Sequence, residues 1–130
     1  MLLIIFMVLL LVVVQVQLPG KYLVEQVGAK DQMGPRDYLP EPTLELARSR
    51  RALANLQETL PVFLTLAILS IVLDEQGWLS LVGAGFYFIG RTAHVVCYLR
   101  GLSPWRSVSY VIGLIGCLLV AIPLVPHMWN

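Results

Sequence analysis

Residues 2–18 read LLIIFMVLLLVVVQVQL, a run of apolar and amide side chains without a single charge. A helix needs about 20 such residues to cross the apolar part of a bilayer. In the whole chain of 130 residues, 58% are apolar and 13% are charged. An average soluble domain has about 25% charged residues. Because so short a chain cannot bury all of this apolar surface, its solvent is predicted to be lipid.

Three further apolar segments follow, at about 44–73, 78–99 and 107–125. Together with the first they predict an all-α fold, an integral membrane four-helix bundle forming a single domain over residues 1–130. The first helix is expected to end near Pro19–Gly20, and residues 19–43 to form a polar loop. It lacks a basic leader and a small-residue cleavage site, so it is expected to be retained, with removal as a signal peptide the alternative.

The connections predict how the helices are arranged. Thr43 precedes the second segment and has the side chain that caps a helix N-terminus. Residues 74–77 read DEQG, a turn short enough to make the second and third helices antiparallel. Basic side chains fall in or beside the first and third connections: Lys21, Lys30, Arg36, Arg48, Arg50, Arg51, Arg100 and Arg106. The positive-inside rule therefore places those connections in the cytoplasm and both termini outside.

The composition also excludes several classes of function. The net charge is +1, and no basic stretch is large enough to follow a phosphate backbone, so a nucleic-acid partner is not expected. Cys97 and Cys117 lie in apolar runs and are expected to be small buried side chains. No pair of histidines or cysteines has the spacing of metal ligands, so no metal site is expected.

Polar residues recur on one face of the second helix. Four of them, Arg48, Arg51, Asn55 and Glu58, follow one another at helical spacing, and Pro61, which can bend the helix, comes just after them. An unpaired carboxylate in an apolar helix is costly, so Asn55 and Glu58 are expected to face the bundle interior and find donors there. The alternative is that Arg51, Asn55 and Glu58 only hold the bundle together by hydrogen bonds.

The third and fourth helices carry similar groups. Tyr87, Arg91, His94 and Tyr98 share one face of the third helix, and Arg106, Ser107 and Tyr110 begin the fourth. Arg91 is expected to pair with Glu58 or with an anionic ligand, while the alternative for Arg106 is an anchor at the membrane surface.

The topology brings these three groups to one end of the bundle. They predict a cavity for a small polar anion that also carries an ammonium group, with Glu58 as the ammonium partner.

Two of these segments resemble a known family. RSRRALANLQETLP, residues 48–61, and GRTAHVVCYLRGLSPWRSVSY, residues 90–110, resemble the signatures of the membrane-associated proteins in eicosanoid and glutathione metabolism, the MAPEG family. The resemblance implies a homotrimer with a glutathione site between neighbouring subunits, facing the cytoplasm. It assigns glutathione contacts to Asn55, Glu58, Arg91, His94 and Tyr98, and the surroundings of the thiol to Arg106, Ser107 and Tyr110. Arg51, together with Arg91 and Lys21, is expected to meet the carboxylates of glutathione or to order the site.

The chain departs from the family pattern at a few positions. Ala54 stands where relatives have an arginine, and Leu56 where they have an acidic residue. A basic ligand at the end of the first helix has only Gln17 or Lys21 as its nearest counterpart.

The implied function is that of a membrane-bound glutathione transferase or peroxidase that acts on lipophilic electrophiles. Glutathione would be the co-substrate, Arg106 would stabilise its thiolate, and Ser107 or Tyr110 would donate a hydroxyl. Glu58 would hold the ammonium group, and the apolar substrate would enter sideways from the membrane lipids. The alternatives are a non-catalytic lipid- or glutathione-binding scaffold, and a structural helical subunit of a larger membrane complex.

Overall fold

The computed structural model describes residues 1–129, and this part of the chain contains four helices long and apolar enough to cross a membrane. The elements are α1 (Leu2–Val27), the short α2 (Ala29–Met33), α3 (Leu44–Val72), α4 (Trp78–Arg100) and α5 (Trp105–Ala121), and α5 continues as a 3-10 helix (Ile122–Met128). The predicted all-α, multi-pass membrane bundle is thus confirmed.

The predicted end of the first helix is wrong, because α1 continues through Pro19 and Gly20 as far as Val27. Proline removes one backbone hydrogen bond from a helix, but packing beyond it can outweigh that loss. Leu23 is only 3% exposed, so the last turns of α1 are packed into the bundle. The amide of Gln26 also donates to the carbonyl of Glu41 at 2.7 Å, which ties the end of α1 to the segment leading into α3.

α3 begins as predicted and runs unbroken through Pro61. The hydroxyl of Thr43 accepts a hydrogen bond from the backbone N–H of Leu46 at 3.4 Å, which confirms Thr43 as the N-cap. α3 and α4 are antiparallel: Asn55 meets Arg91, whereas the earlier Arg48 reaches the later Leu99. The first half of α3 therefore lies beside the second half of α4.

An aromatic pair lies at the centre of the bundle. The rings of Phe63 and Tyr87 stack at 4.1 Å between centroids, and both side chains are fully buried. The Tyr87 hydroxyl forms a hydrogen bond of 3.0 Å with the hydroxyl of Thr59, which satisfies both polar groups away from water. Val8 of α1 and Val120 of α5 belong to the same buried cluster, so four helices share one core.

Glycines allow α4 and α5 to approach very closely. A Cβ atom built on Gly116 would lie 2.5 Å from the carbonyl oxygen of Gly83. One built on Gly90 would lie 2.7 Å from the backbone nitrogen of Gly113. Small residues of this kind let membrane helices pack backbone against backbone. The contacts hold α4 against α5 from Gly83 and Gly116 to the middle of both helices, and Gly90 and Gly113 lie one turn from His94 and Tyr110 of the candidate site.

Candidate functional site

A buried guanidinium forms the floor of the candidate site. Arg91 on α4 is 1% exposed, and its Nη2 donates to the Oδ1 atom of Asn55 on α3 at 2.8 Å. Its guanidinium carbon lies 5.7 Å from the centre of the Tyr110 ring. The Nε and Nη1 atoms are buried and have no hydrogen-bond partner among residues 1–129. Arg91 is therefore not paired with Glu58 in the protomer, because its hydrogen-bond acceptor is Asn55.

Next to Arg91, three helices enclose an open pocket of about 290 Å³. Its lining comprises Asn55 from α3, His94 and Tyr98 from α4, and Arg106, Ser107, Tyr110 and Val111 from α5. Six of the nine predicted site residues are thus brought together. Arg91 lies behind the pocket, and Arg51 and Glu58 lie outside its lining.

The aromatic rings of the pocket are arranged around its histidine. His94 is buried, and its ring meets the ring of Tyr98 edge-on at 5.4 Å and that of Tyr110 at a tilt at 6.1 Å. Both tyrosines are half-buried, so their rings pack inside the protein next to the pocket. The His94 ring therefore lies next to both tyrosine rings that line the pocket, Tyr98 of α4 and Tyr110 of α5.

Two cationic side chains lie against Tyr98. The guanidinium carbon of Arg106 is 4.9 Å from the ring centroid, and that of Arg51 is 5.9 Å away. Cations within about 6 Å of an aromatic face are attracted by the ring. Arg106 is exposed and free of any carboxylate partner within residues 1–129, so its donors are available to a ligand.

Glu58 does not face the bundle interior, and that prediction is wrong for the protomer. The side chain is exposed, and no hydrogen bond or ion pair to it is found in the described part of the chain. The reason is the rotation of α3, which turns Ala52, Leu56 and Thr59 inward. Glu58 and Arg51 lie to one side of that buried face, and Asn55 stands at its border.

Neither candidate ligand of the first helix reaches the pocket. Lys21 is exposed and pairs with Glu25 on its own helix at 3.9 Å, and Gln17 is exposed as well. The buried amide of α1 is Gln15, which is 3% exposed and whose Oε1 has no partner among residues 1–129. Gln15 was not singled out in the sequence, although an amide within so apolar a run is a visible signal.

The pocket is rich in hydrogen-bond donors. Arg106 presents a guanidinium, Ser107 and Tyr110 present hydroxyls, and Asn55, whose oxygen is taken by Arg91, keeps its NH₂ group to donate. None of the residues lining this pocket is a carboxylate. The arrangement therefore suits an anion, and a guanidinium beside two hydroxyls can stabilise a thiolate or a carboxylate.

The fold and site define a multi-pass membrane protein with a donor-rich pocket between three of its helices. The sequence pattern of the MAPEG family matches residues 1–125. Human prostaglandin E synthase is 31% identical over 111 residues, which cover 85% of this chain and 72% of that protein. The chain belongs to the MAPEG family, as its two signature segments predict.

Proposed function

We propose that this protein is a membrane-bound, glutathione-dependent transferase or peroxidase that acts on lipophilic electrophiles. The observation that carries the proposal is the pocket in which Arg106, Ser107 and Tyr110 of α5 meet Asn55, His94 and Tyr98. Membership of a family that includes a prostaglandin E synthase supports it, since that relative is an enzyme.

The residues present fit glutathione, which carries two carboxylates, a thiol and an ammonium group. Arg91 is a buried cation without a carboxylate partner among residues 1–129, and an anion bound next to it would offset that charge. Asn55, His94 and Tyr98 would hold the peptide in the pocket, and Arg51 would meet a carboxylate at its edge. When bound, glutathione supplies the thiol that becomes the nucleophile.

The chemical work falls to α5. A free thiol has a pKa of about 8.5. Lowering it by about two units requires roughly 2.7 kcal/mol of preferential stabilisation of the thiolate. One charge-assisted hydrogen bond from Arg106 and one neutral bond from Ser107 or Tyr110 together supply about that amount. These three residues would therefore keep the sulfur ionised at neutral pH.

We infer that the site is completed by a neighbouring copy of the chain, in a homotrimer. Glu58 and Gln57 are exposed on a helix that crosses the membrane, and such groups are costly when they face lipid. A second copy covering this face would shield them. Glu58 could then meet the ammonium group of glutathione bound to the neighbour.

The pocket lies at the end of the bundle where α4 ends and α5 begins, next to Arg100 and Arg106. By the positive-inside rule this end faces the cytoplasm, where glutathione would have direct access, and both termini face outside. An apolar substrate would enter the pocket from the membrane, by passing between the helices.

The test is a glutathione titration of the purified protein in detergent, followed by the ultraviolet absorbance of the thiolate and by conjugation of an aryl halide. Arg106→Ala is expected to remove most of both signals. Arg100→Ala is the matched control, because Arg100 is an exposed arginine at the same end that does not line the pocket. If the wild-type protein gave neither a thiolate signal nor conjugation, the proposed enzymatic function would be refuted. Equal losses in Arg106→Ala and Arg100→Ala would refute only the role assigned to Arg106.

A binding-only scaffold is the second candidate, and two positions on α3 favour it. Leu56 is fully buried and Ala54 carries no functional group, so α3 offers no charge where the family pattern has an arginine and an acidic residue. The same titration separates the candidates. Saturable glutathione binding without thiolate or conjugation would indicate a scaffold, whereas no binding at all would indicate a structural subunit.

A further inference from the structure

A second pocket, of about 260 Å³, lies next to the first, and three of the residues that line it are arginines. Arg48 and Arg51 of α3 line it from one side, and Arg106 of α5 from another. Tyr98 and Arg106 line both pockets, so the two cavities share one wall. The proposed glutathione chemistry makes no use of Arg48.

The three guanidiniums have no carboxylate to neutralise them. Among residues 1–129 the ion pairs are Lys21–Glu25 and the pair of His127 with Glu75, and neither involves this pocket. Arg48 makes one long hydrogen bond, from Nη1 to the carbonyl of Leu99 at 3.4 Å. The pocket is therefore an unneutralised cluster of planar cationic donors, a geometry that matches phosphate oxygens.

Arg48 is held in this position by the backbone of the α4–α5 connection. Its guanidinium packs on Gly101, where an added Cβ atom would lie 2.6 Å from Nη2. Gly101 has a φ of 68°, in the left-handed region that ends α4. The guanidinium is thus fixed against the end of a membrane helix instead of extending freely into water.

The surrounding helix ends favour a position for this pocket at the level of the lipid headgroups. It is placed where α4 ends at Arg100 and α5 begins at the exposed Trp105, a residue typical of the membrane surface. Two further lining residues, Leu44 and Leu102, are exposed and apolar. A ligand here would meet cations and apolar side chains together, which is the chemistry of a lipid headgroup with its first methylenes.

We propose that this pocket binds the phosphate group of an anionic phospholipid. The three arginines favour a lipid whose phosphate charge is not cancelled by its own headgroup, such as phosphatidylglycerol, over phosphatidylcholine. The pocket shares Arg51 and Arg106 with the proposed glutathione site and differs from it in its ligand and in its use of Arg48, and the lipid proposal does not depend on the glutathione chemistry.

The test is titration of delipidated full-length protein in a non-ionic detergent with short-chain phosphatidylglycerol, with bound lipid counted by native mass spectrometry. Phosphatidylcholine of the same chain length and inorganic phosphate are the comparison probes. Arg48→Gln is expected to weaken phosphatidylglycerol binding about tenfold, the loss of one charge-assisted hydrogen bond. Arg100→Gln removes the same charge outside the pocket and is expected to change it less than twofold.

A second variant guards against a loss of fold in Arg48→Gln. Ser103→Glu adds a carboxylate to the pocket wall without removing any arginine, and it is expected to weaken phosphatidylglycerol binding at least as much. Equal effects of Arg48→Gln and Arg100→Gln, or unchanged binding in Ser103→Glu, would overturn the site. Inorganic phosphate bound as tightly as phosphatidylglycerol would overturn the lipid as its ligand. Glutathione binding in these proteins is a separate readout, so its loss would not count against the lipid site.

Discussion

Gly90→Ala tests the close packing that holds the pocket together. The added Cβ atom would lie 2.7 Å from the nitrogen of Gly113 and 2.8 Å from the carbonyl oxygen of Ser109. Carbon atoms in ordinary contact are about 3.5–4.0 Å from their neighbours. Both obstructing atoms are backbone, so no rotamer change can relieve the overlap. α4 and α5 must therefore part by about 0.7–1 Å at this level.

The effect on stability is the difference in the free energy of unfolding between two variants. Overpacking costs about 1–3 kcal/mol, while alanine gains up to about 1 kcal/mol of helix propensity over glycine. Gly85→Ala lies on the same helix and has the same propensity gain, but its Cβ atom would meet nothing within 4 Å. Gly90→Ala is therefore expected to be about 1–3 kcal/mol less stable than Gly85→Ala.

The same displacement should reach the pocket. Ser109 and Gly113 flank Tyr110 on α5, so parting the helices moves Tyr110 away from His94 on α4. A misplacement of about 1 Å at a catalytic group can lower a rate by about 100-fold. Aryl halide conjugation is expected to fall by at least tenfold in Gly90→Ala and to stay near wild type in Gly85→Ala.

The assay is reversible unfolding in mixed detergent micelles, followed by circular dichroism, on both variants and the wild type. If Gly90→Ala proved as stable as Gly85→Ala, the close backbone contact between α4 and α5 would be refuted. A destabilised Gly90→Ala with full conjugation activity would show that the pocket does not depend on that contact.

Three smaller perturbations test individual hydrogen bonds. Asn55→Leu leaves the buried Arg91 guanidinium without its side-chain acceptor and is expected to lower the free energy of unfolding by about 1–3 kcal/mol in the same detergent assay. Thr59→Val and Tyr87→Phe remove the two ends of one bond, so a double-mutant cycle should give a coupling of about 0.6 kcal/mol. Thr43→Ala removes the cap of α3 and is expected to cost about 1 kcal/mol, measured in the same way.

Matched controls decide how these results are read. Gln76→Leu changes an exposed amide in the turn between α3 and α4, so it is expected to alter stability by less than about 0.5 kcal/mol. If Asn55→Leu had no larger effect, the bond to Arg91 would contribute nothing. Zero coupling in the double-mutant cycle would mean that the Thr59–Tyr87 hydrogen bond does not contribute to stability. A Thr43→Ala variant as stable as the wild type would mean the same for the N-cap.

Helical periodicity and loop lengths could predict most of the pocket. His94 and Tyr98 share a face of α4, Ser107 and Tyr110 share a turn of α5, and the short connection between these helices brings both groups to one level. Periodicity shows which residues share a face. It does not show how far a helix is rotated about its axis, and for that reason Glu58 was expected inside.

The rotation of α3 is set by packing that the polar pattern does not reveal. Leu56 and Thr59 form a second stripe beside the charged one, and the aromatic stack of Phe63 with Tyr87 favours burying that stripe. A polar face turned outward is costly in a membrane unless its side chains reach the membrane surface or another protein surface covers it. The sequence of one chain therefore predicts the stripe correctly but not the surface that it meets.

The end of α1 was missed for a related reason. Proline and glycine at positions 19 and 20 are the local signals of a helix end, whereas the burial of Leu23 and the bonds of Gln26 are tertiary. Tertiary contacts outweighed the local signals.

A pH titration of bound glutathione, followed by the ultraviolet absorbance of its thiolate, tests whether the pocket on α5 ionises the thiol. We expect the thiol pKa to fall from about 8.5 in solution to about 6.5 in the wild-type complex. The thiolate signal should therefore be present at pH 7 and disappear as the pH falls through the lowered value. In Arg106→Ala the pKa should return close to its solution value, whereas Arg100→Ala should titrate like the wild type. A wild-type complex whose thiol titrates with the solution pKa would show that the pocket does not ionise glutathione.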